Sequence, residues 1–190
     1  MVRGRLIDRR DQQPFKKIDL LQISFEGADM SRYEINMKSV PAMRVASLWG
    51  KGLPFSVTVP KAYEDLAAWM AKKSIPPLSG SPMGIALYYD DPASVSPEEV
   101  RFKVAMPVAA ETPEVAEGGA AVEVLAEADV AYLTVEGPYT NLEEAYGQLF
   151  GWVFSNGFQP KDAAREVYVK WGEAMPPEEQ VTEIQVPVGR

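Results

Sequence analysis

The 190-residue chain contains neither cysteine nor histidine. Without cysteine there are no disulfides, thiolate zinc sites or cysteine nucleophiles, and without histidine the commonest general base is missing. Serine–histidine–aspartate and cysteine–histidine catalysis are therefore excluded. The sequence also has no phosphate loop, dinucleotide fingerprint or EF-hand loop. We therefore expect neither a cofactor nor a metal.

Positive charge and long apolar runs are also scarce. Aspartate and glutamate number 27 against 19 lysines and arginines, which gives a net charge of −8. Such a chain is expected to attract cations and not to bind nucleic acid directly. No apolar run approaches the roughly 20 residues of a membrane span, and no targeting segment is recognisable. These features predict a cytoplasmic protein that does not bind membranes.

The sequence repeats itself from Tyr33 onward. Ala62–Trp69 and Ala145–Trp152 share the pattern A-Y-x-x-L-x-x-W, and Tyr88 matches Tyr168 at a similar distance of about 80 residues. Each copy contains strand segments, then an amphipathic helix, then two closing strands. This self-similarity indicates a tandem duplication of one strand–helix–two-strand unit.

The duplication predicts an α+β fold in which an antiparallel sheet carries two helices and a central cleft between the halves. The copies span 33–108 and 122–188 within a domain of 33–190. Residues 1–32 are too few for a core of their own, so we interpret them as an N-terminal arm. Segment 109–121 has little to bury and is expected to be an exposed linker.

Several motifs, taken in order, resemble the GyrI-like small-molecule-binding domain, which is also the effector-binding domain of multidrug-responsive regulators of the MerR and AraC types. The motifs are Tyr33-Glu34-Ile35 with Pro41–Ala46, Glu136-Gly137-Pro138-Tyr139, Arg165-Glu166-Val167-Tyr168, Pro176–Glu179 and Glu183–Val188. The resemblance covers 33–190. It implies a stand-alone member that binds amphipathic or cationic organic molecules in an aromatic cleft containing a carboxylate.

Glu166 is the leading candidate for that carboxylate. It matches the acidic position of the family motif, and its counterpart in the first copy is Ala86, whereas neighbouring Tyr168 keeps the counterpart Tyr88. A requirement of the fold would act on both copies, so the asymmetry favours a function over a solvated strand carboxylate. In an apolar cleft its pKa should rise, unless a cationic ligand stabilises the charge.

The other candidates are aromatic cleft walls and a second carboxylate. Glu183 could approach Glu166 if the closing strands form a hairpin, although an outward-facing strand residue is the preferred interpretation. Tyrosines can stack on a ligand and also donate hydrogen bonds, and tryptophans without a tryptophan counterpart are candidate walls or core residues. The predicted aromatic positions are Trp49, Tyr88, Tyr139, Tyr168 and Trp171.

The sequence therefore favours binding of amphipathic, cationic small molecules over catalysis. Two alternatives stay open. One is a cofactor-free hydrolase of strained, cyclopropane-bearing electrophiles, as some members of the resembled family are, with Glu166 and Glu183 as its catalytic pair. The other is an interaction module resembling gyrase inhibitors, which would need an exposed apolar patch. The expected partner is a small molecule, and a protein partner is left unidentified.

Overall fold

The computed structural model describes residues 32–80, 82–172 and 174–190. The predicted N-terminal arm, apart from Arg32, lies outside these residues. Within them, two α-helices pack on one antiparallel sheet of ten strands. This is the α+β architecture that the duplicated pattern predicts.

The same order of elements occurs twice along the chain. The first copy contains β1 (Asn36–Val40), β2 (Met43–Lys51), α1 (Phe55–Lys72), β3 (Gly84–Tyr88) and β4 (Arg101–Pro107). A short strand, β5 (Val115–Glu117), follows. The second copy contains β6 (Ala120–Leu125), β7 (Ala128–Glu136), α2 (Leu142–Ser155), β8 (Gln159–Pro160), β9 (Ala164–Lys170) and β10 (Val181–Gly189). Among the strands of the described residues, only the short β5 and β8 have no counterpart in the other copy.

The sheet itself is pseudo-symmetric. Its strand order is β1-β7-β10-β9-β3-β4-β2-β6-β5, with β8 paired to β10. If β5 and β8 are set aside, replacing each strand by its counterpart reverses the order, as a twofold axis requires. The first strand of each copy crosses to the other half, because β1 pairs with β7 and β6 pairs with β2. Each copy thus completes the sheet of the other.

The two halves meet where β3 pairs with β9. Gly84 lies opposite Tyr168, Tyr88 opposite Ala164, and Ala86 opposite Glu166. Since Ala86 and Glu166 are also counterparts in the repeat, the pseudo-twofold axis passes through this pair. The point where the axis crosses the sheet carries a methyl group in one copy and a carboxylate in the other.

Both helices cover the same face of the sheet. Tyr63 of α1 contacts Tyr168, and Tyr146 of α2 contacts Glu166, so both helices reach one face of β9. Each helix buries one stripe of residues spaced three or four apart, as an amphipathic helix does. The buried residues are Val59, Ala62, Leu66 and Met70 in α1 and Leu142, Ala145, Leu149 and Val153 in α2.

We call the opposite face of the sheet the open face. It carries a smaller apolar cluster that includes Val45, Ile85, Leu87 and Ala105. Charged side chains share this face. The strand pairing identifies them, because paired residues of an antiparallel sheet project to the same side and successive residues alternate. Arg165 pairs with Leu87 and therefore projects away from the helices.

The segment 109–121, expected to be a linker, contains β5 and the start of β6, which pair as a hairpin. Its two-residue turn consists of Gly118 and Gly119, with φ values of 63° and 88°. Positive φ at both turn positions is typical of tight type I′ hairpins and favours glycine. The alanine-rich flanks show no alternation of large apolar residues, so the sequence pattern did not reveal the strand.

Candidate functional site

Glu166 projects from the middle of β9 toward the two helices and is only 6% exposed. Its Oε2 accepts hydrogen bonds from the hydroxyls of Tyr88 and Tyr168, each at 3.1 Å. Its Oε1 accepts one from the hydroxyl of Tyr146, also at 3.1 Å. Within the described part of the chain, Glu166 forms no ion pair. Neutral hydroxyls alone therefore solvate this carboxylate.

The duplication explains why tyrosines converge here. Tyr88 and Tyr168 are counterparts on β3 and β9, and each lies two residues from the pair on the pseudo-twofold axis. Tyr63 and Tyr146 are counterparts in the helical motif, and both reach the same region from the helices. Equivalent residues of both copies approach a group on the axis equally closely. The Glu166 carboxylate therefore has tyrosine neighbours from both repeats.

Tyr63 differs from Tyr146 in its hydrogen bonding. Its hydroxyl is buried and makes no hydrogen bond among the described residues. The backbone N–H groups of Ala105 and Ile85 lie near enough to oppose the rise in its pKa, but neither reaches hydrogen-bonding geometry. The ring packs closely over Gly84, where an added Cβ would lie 2.8 Å from Tyr63 Oη. A buried hydroxyl without a partner is costly and therefore marks this position for explanation.

Tyr139 forms the exposed edge of the same group. The residue is 41% exposed, and its ring centroid lies 6.1 Å from that of Tyr168 in an edge-to-face arrangement. It belongs to a short 3₁₀ helix, Tyr139–Asn141, that leads directly into α2. We refer to Tyr63, Tyr88, Tyr139, Tyr146 and Tyr168 as the tyrosine cluster.

Burial controls the ionisation of this site. It raises the pKa of Glu166, and the hydrogen bonds from three tyrosines oppose the rise. Burial and the nearby carboxylate raise the pKa of Tyr63, Tyr88 and Tyr168 well above the ordinary value, and that of Tyr139 to about 12. The tyrosines are therefore neutral donors at physiological pH, and Glu166 is the only group of the site that can carry charge there.

The structure brings Glu166 together with three of the predicted aromatic residues, Tyr88, Tyr139 and Tyr168. Glu183 lies on the open face, because it pairs in register with Val167 while Glu166 pairs with Ile184. Both carboxylate oxygens of Glu183 accept hydrogen bonds from Lys38 Nζ at 2.7 Å. Glu183 and Glu166 are therefore separated by the sheet and do not share a site.

Lys38 and Glu183 have equivalents in the other half of the sheet. There Lys103 Nζ lies 2.7 Å from Glu123 Oε1, so the ion pair recurs with the two charges exchanged between strands. Glu183 therefore takes part in an ion pair of the open face that both copies share. Trp49 also lies on the open face, with Lys103 Nζ 4.5 Å from the centre of its ring.

Trp171 directly follows β9 and is 38% exposed. It makes no ring contact with the tyrosine cluster in the part of the chain that the structure describes. Two contributors were missed in the sequence, namely Tyr63 and Tyr146. Their signal was an identical tyrosine in both helices, whose hydroxyl needs a polar partner if the helix face is buried.

A duplicated α+β domain with one buried carboxylate among aromatic side chains has the features of a small-molecule-binding domain. The chain belongs to the GyrI-like family, since the family model "GyrI-like small molecule binding domain" matches residues 33–189. No curated protein matches the chain significantly in sequence. No helix among the described residues is long and apolar enough to cross a membrane.

Solved structures share the fold at low sequence identity. The EcmrR C-terminal domain is 23% identical with a TM-score of 0.64, over 84% of this chain and 99% of that one. In the EcmrR–DNA complex, the TM-score is 0.71 at 23% identity, over 83% of this chain and only 58% of the EcmrR chain. A hydrolase from Listeria innocua is 15% identical with a TM-score of 0.56, over 82% and 92%.

SAV2435 is a further solved protein of this fold, and its structure contains bound tetraphenylphosphonium. It is 11% identical to this chain, with a TM-score of 0.52, over 82% of this chain and 94% of SAV2435. Identities this low establish a common architecture only. The ligand of this chain has to be inferred from its own residues.

Proposed function

We propose that this domain binds amphipathic organic cations at Glu166, with the tyrosine cluster providing the aromatic contact surface. The observation that carries the proposal is a buried carboxylate whose hydrogen-bond partners in the described structure are all neutral hydroxyls. A carboxylate removed from water is costly unless a positive charge accompanies it. A cationic ligand would supply that charge.

The rings around Glu166 suit the same type of ligand. Aromatic faces attract cations and also supply apolar contact area, so a cation with aromatic substituents would gain from both. SAV2435 binds such a molecule, tetraphenylphosphonium, in its solved structure. This supports the choice of a bulky aromatic cation as the first probe for the present chain.

Access to Glu166 requires the tyrosine cluster to move, because the carboxylate is almost fully covered. Tyr139 is the member most easily displaced. It is the most exposed of the five, and within the described residues its hydroxyl forms no hydrogen bond that displacement would break. We therefore expect a ligand to enter past Tyr139 and to reach a carboxylate that the other tyrosines hold in place.

The test compares two ions of one shape. Separate calorimetric titrations with tetraphenylphosphonium and tetraphenylborate should show tighter binding of the phosphonium, because only the cation complements Glu166. Glu166→Gln should reduce phosphonium affinity and should not reduce borate affinity. Equal or tighter binding of the borate by the unmodified protein would refute the charge selection.

Glu183→Gln is the matched control. It makes the same chemical change on the adjacent strand, but on the other face of the sheet. Both variants remove one negative charge from the whole protein, so long-range electrostatics change equally. Loss of phosphonium affinity in both variants would point to net charge and would contradict a specific site at Glu166.

A further inference from the structure

The open face of the sheet contains a groove directly behind the tyrosine cluster. Its volume is about 310 Å³, at the lower end of the range of small-molecule sites. Its apolar lining includes Met43, Ile85, Leu125 and Val167. The charged lining residues are Arg165, Lys38 and Glu183.

Arg165 is the unusual member of this lining. The residue is only 5% exposed, and its Nε is buried with no hydrogen-bond partner. Across the described residues, the guanidinium makes neither an ion pair nor a hydrogen bond. Arginine stays charged in proteins, so a positive charge that is largely removed from water has no paired anion here, which is unusual because desolvation of a charge is costly.

The neighbouring charged groups do not neutralise the guanidinium of Arg165. Glu183, the carboxylate of the groove, is already bound by Lys38 Nζ at 2.7 Å, and Gln185 Nε2 donates to its Oε1 at 2.6 Å. Asp162 favours the charged form of Arg165 but forms no ion pair with it. Tyr89 is close enough to the guanidinium to interact with it electrostatically, but burial raises the pKa of Tyr89 and keeps its hydroxyl neutral. The lining therefore carries one uncompensated positive charge.

The internal duplication shows that the fold does not require an arginine at this position. The counterpart of Arg165 in the first copy is Ile85, which is buried in the apolar cluster of the open face. The two residues occupy equivalent places beside the pseudo-twofold axis, since Ile85 pairs with Val167 and Arg165 with Leu87. The equivalent position of the fold accepts an apolar side chain, so the fold alone does not explain the guanidinium of Arg165.

We propose that this groove is a second ligand site, which binds a small organic anion through its carboxylate. The planar guanidinium can donate two parallel hydrogen bonds to the two oxygens of a carboxylate. The apolar lining would cover an aromatic or aliphatic body. Arg165 and Glu166 are adjacent in β9, so two sites of opposite charge preference lie on opposite faces of one strand.

The probe pair is 1-naphthoate and its neutral amide, 1-naphthamide, titrated separately into the full chain by calorimetry. The naphthoate should bind roughly tenfold or more tightly than the amide, because only the carboxylate pairs with the guanidinium. Arg165→Ile installs the counterpart residue and should fold, because it removes a charge without leaving a partner unpaired. It should abolish the preference for naphthoate.

Three controls make each outcome decisive. Lys61→Met removes one positive charge from the exposed surface of α1 and should leave naphthoate affinity unchanged. Val167→Trp fills the groove without changing its charge and should block naphthoate, so it decides the question if Arg165→Ile does not fold. Glu166→Gln acts on the other face and should leave naphthoate binding intact, which separates this proposal from that of cation binding.

The proposal is overturned if naphthoate does not bind, or if it binds no more tightly than the amide. It is equally overturned if naphthoate affinity survives both Arg165→Ile and Val167→Trp in folded protein. Circular dichroism and thermal unfolding establish the folded state of each variant.

Discussion

Replacing Glu166 by glutamine isolates the charge of the site from its shape. The amide has the size of the carboxylate, and tyrosine hydroxyls can both donate and accept, so Tyr88, Tyr146 and Tyr168 can rearrange their hydrogen bonds around it. The variant should therefore fold. What it loses is the negative charge on the pseudo-twofold axis.

The magnitude follows from the burial of the site. Two unit charges about 4 Å apart contribute about 4 kcal/mol at an effective dielectric constant of about 20. Desolvation of the cation offsets part of this, so we expect a net loss of about 1–3 kcal/mol of binding free energy in Glu166→Gln. That corresponds to a dissociation constant about 5- to 150-fold larger.

The assay is a calorimetric titration of both proteins with tetraphenylphosphonium, alongside the neutral triphenylphosphine oxide. The neutral compound should bind the two proteins almost equally, because it has no charge for Glu166 to complement. If phosphonium affinity is unchanged while the variant is folded, Glu166 is not the ligand carboxylate and the assignment of the site fails.

Four further predictions concern ionisation and packing in the tyrosine cluster. Because burial raises the pKa of Glu166, its protonation persists to a higher pH than that of a glutamate in water. Phosphonium affinity should therefore increase as the pH rises through that pKa, and Glu166→Gln should flatten the profile. A pH-independent affinity in the unmodified protein would contradict this. The same shift means that the contribution of Glu166 to folding is most favourable at low pH and is lost as the pH rises, so Glu166→Gln should gain stability relative to the parent from acidic to neutral pH in urea unfolding. Tyr146→Phe should lower the free energy of unfolding by about 1–2 kcal/mol, because a hydrogen bond to the carboxylate is lost. The counterpart change, Tyr63→Phe, should leave the free energy of unfolding unchanged or raise it, because the Tyr63 hydroxyl makes no hydrogen bond among the described residues. Equal effects of the two changes would refute the different hydrogen bonding of the two hydroxyls. Gly84→Ala should lower the free energy of unfolding by about 1–3 kcal/mol, because the added Cβ would meet Tyr63 Oη. Adding Tyr63→Phe should recover part of this stability. Full additivity of the two changes would argue against the contact.

The duplication made the overall architecture predictable. Two copies of one pattern imply the same elements twice, and the copies of A-Y-x-x-L-x-x-W correctly located both helices. Comparing counterparts also drew attention to Glu166 opposite Ala86, the pair that proves to lie on the pseudo-twofold axis. A duplicated sequence carries this information because positions that depart from the repeat are not needed by the fold alone.

The faces of the strands were harder to predict. Glu183 and Glu166 belong to neighbouring strands, and a register change of one residue decides whether they share a face. That register depends on an irregularity at Val181/Thr182, which no local sequence signal specifies. The exchange of β1 and β6 between the halves likewise depends on pairings between residues far apart in the chain.

The roles of Tyr63 and Tyr146 were concealed by their position on apolar helix faces, where core packing explains an aromatic residue equally well. Arg165 was concealed in a different way. It belongs to the same motif as Glu166, but its unpaired state depends on where Lys38, Glu183 and Asp162 lie in three dimensions. Charge balance of this kind follows from the packed strands and not from the sequence pattern.

The exchange of first strands limits how the domain can open. In a two-lobed protein whose lobes are joined by a hinge, a ligand site between them is exposed when the lobes rotate apart. Here β3 pairs with β9 across the boundary, and the exchanged strands tie the halves together through the two short connections from β1 to β2 and from β6 to β7. Separating the halves would therefore break the central ladder of backbone hydrogen bonds and strain both connections. The sheet is therefore a rigid base shared by both copies. Any adaptation to a ligand on the helix-covered face would come from the side chains and helix ends on that face. A ligand bound on such a sheet would change the backbone little, whatever its size or shape.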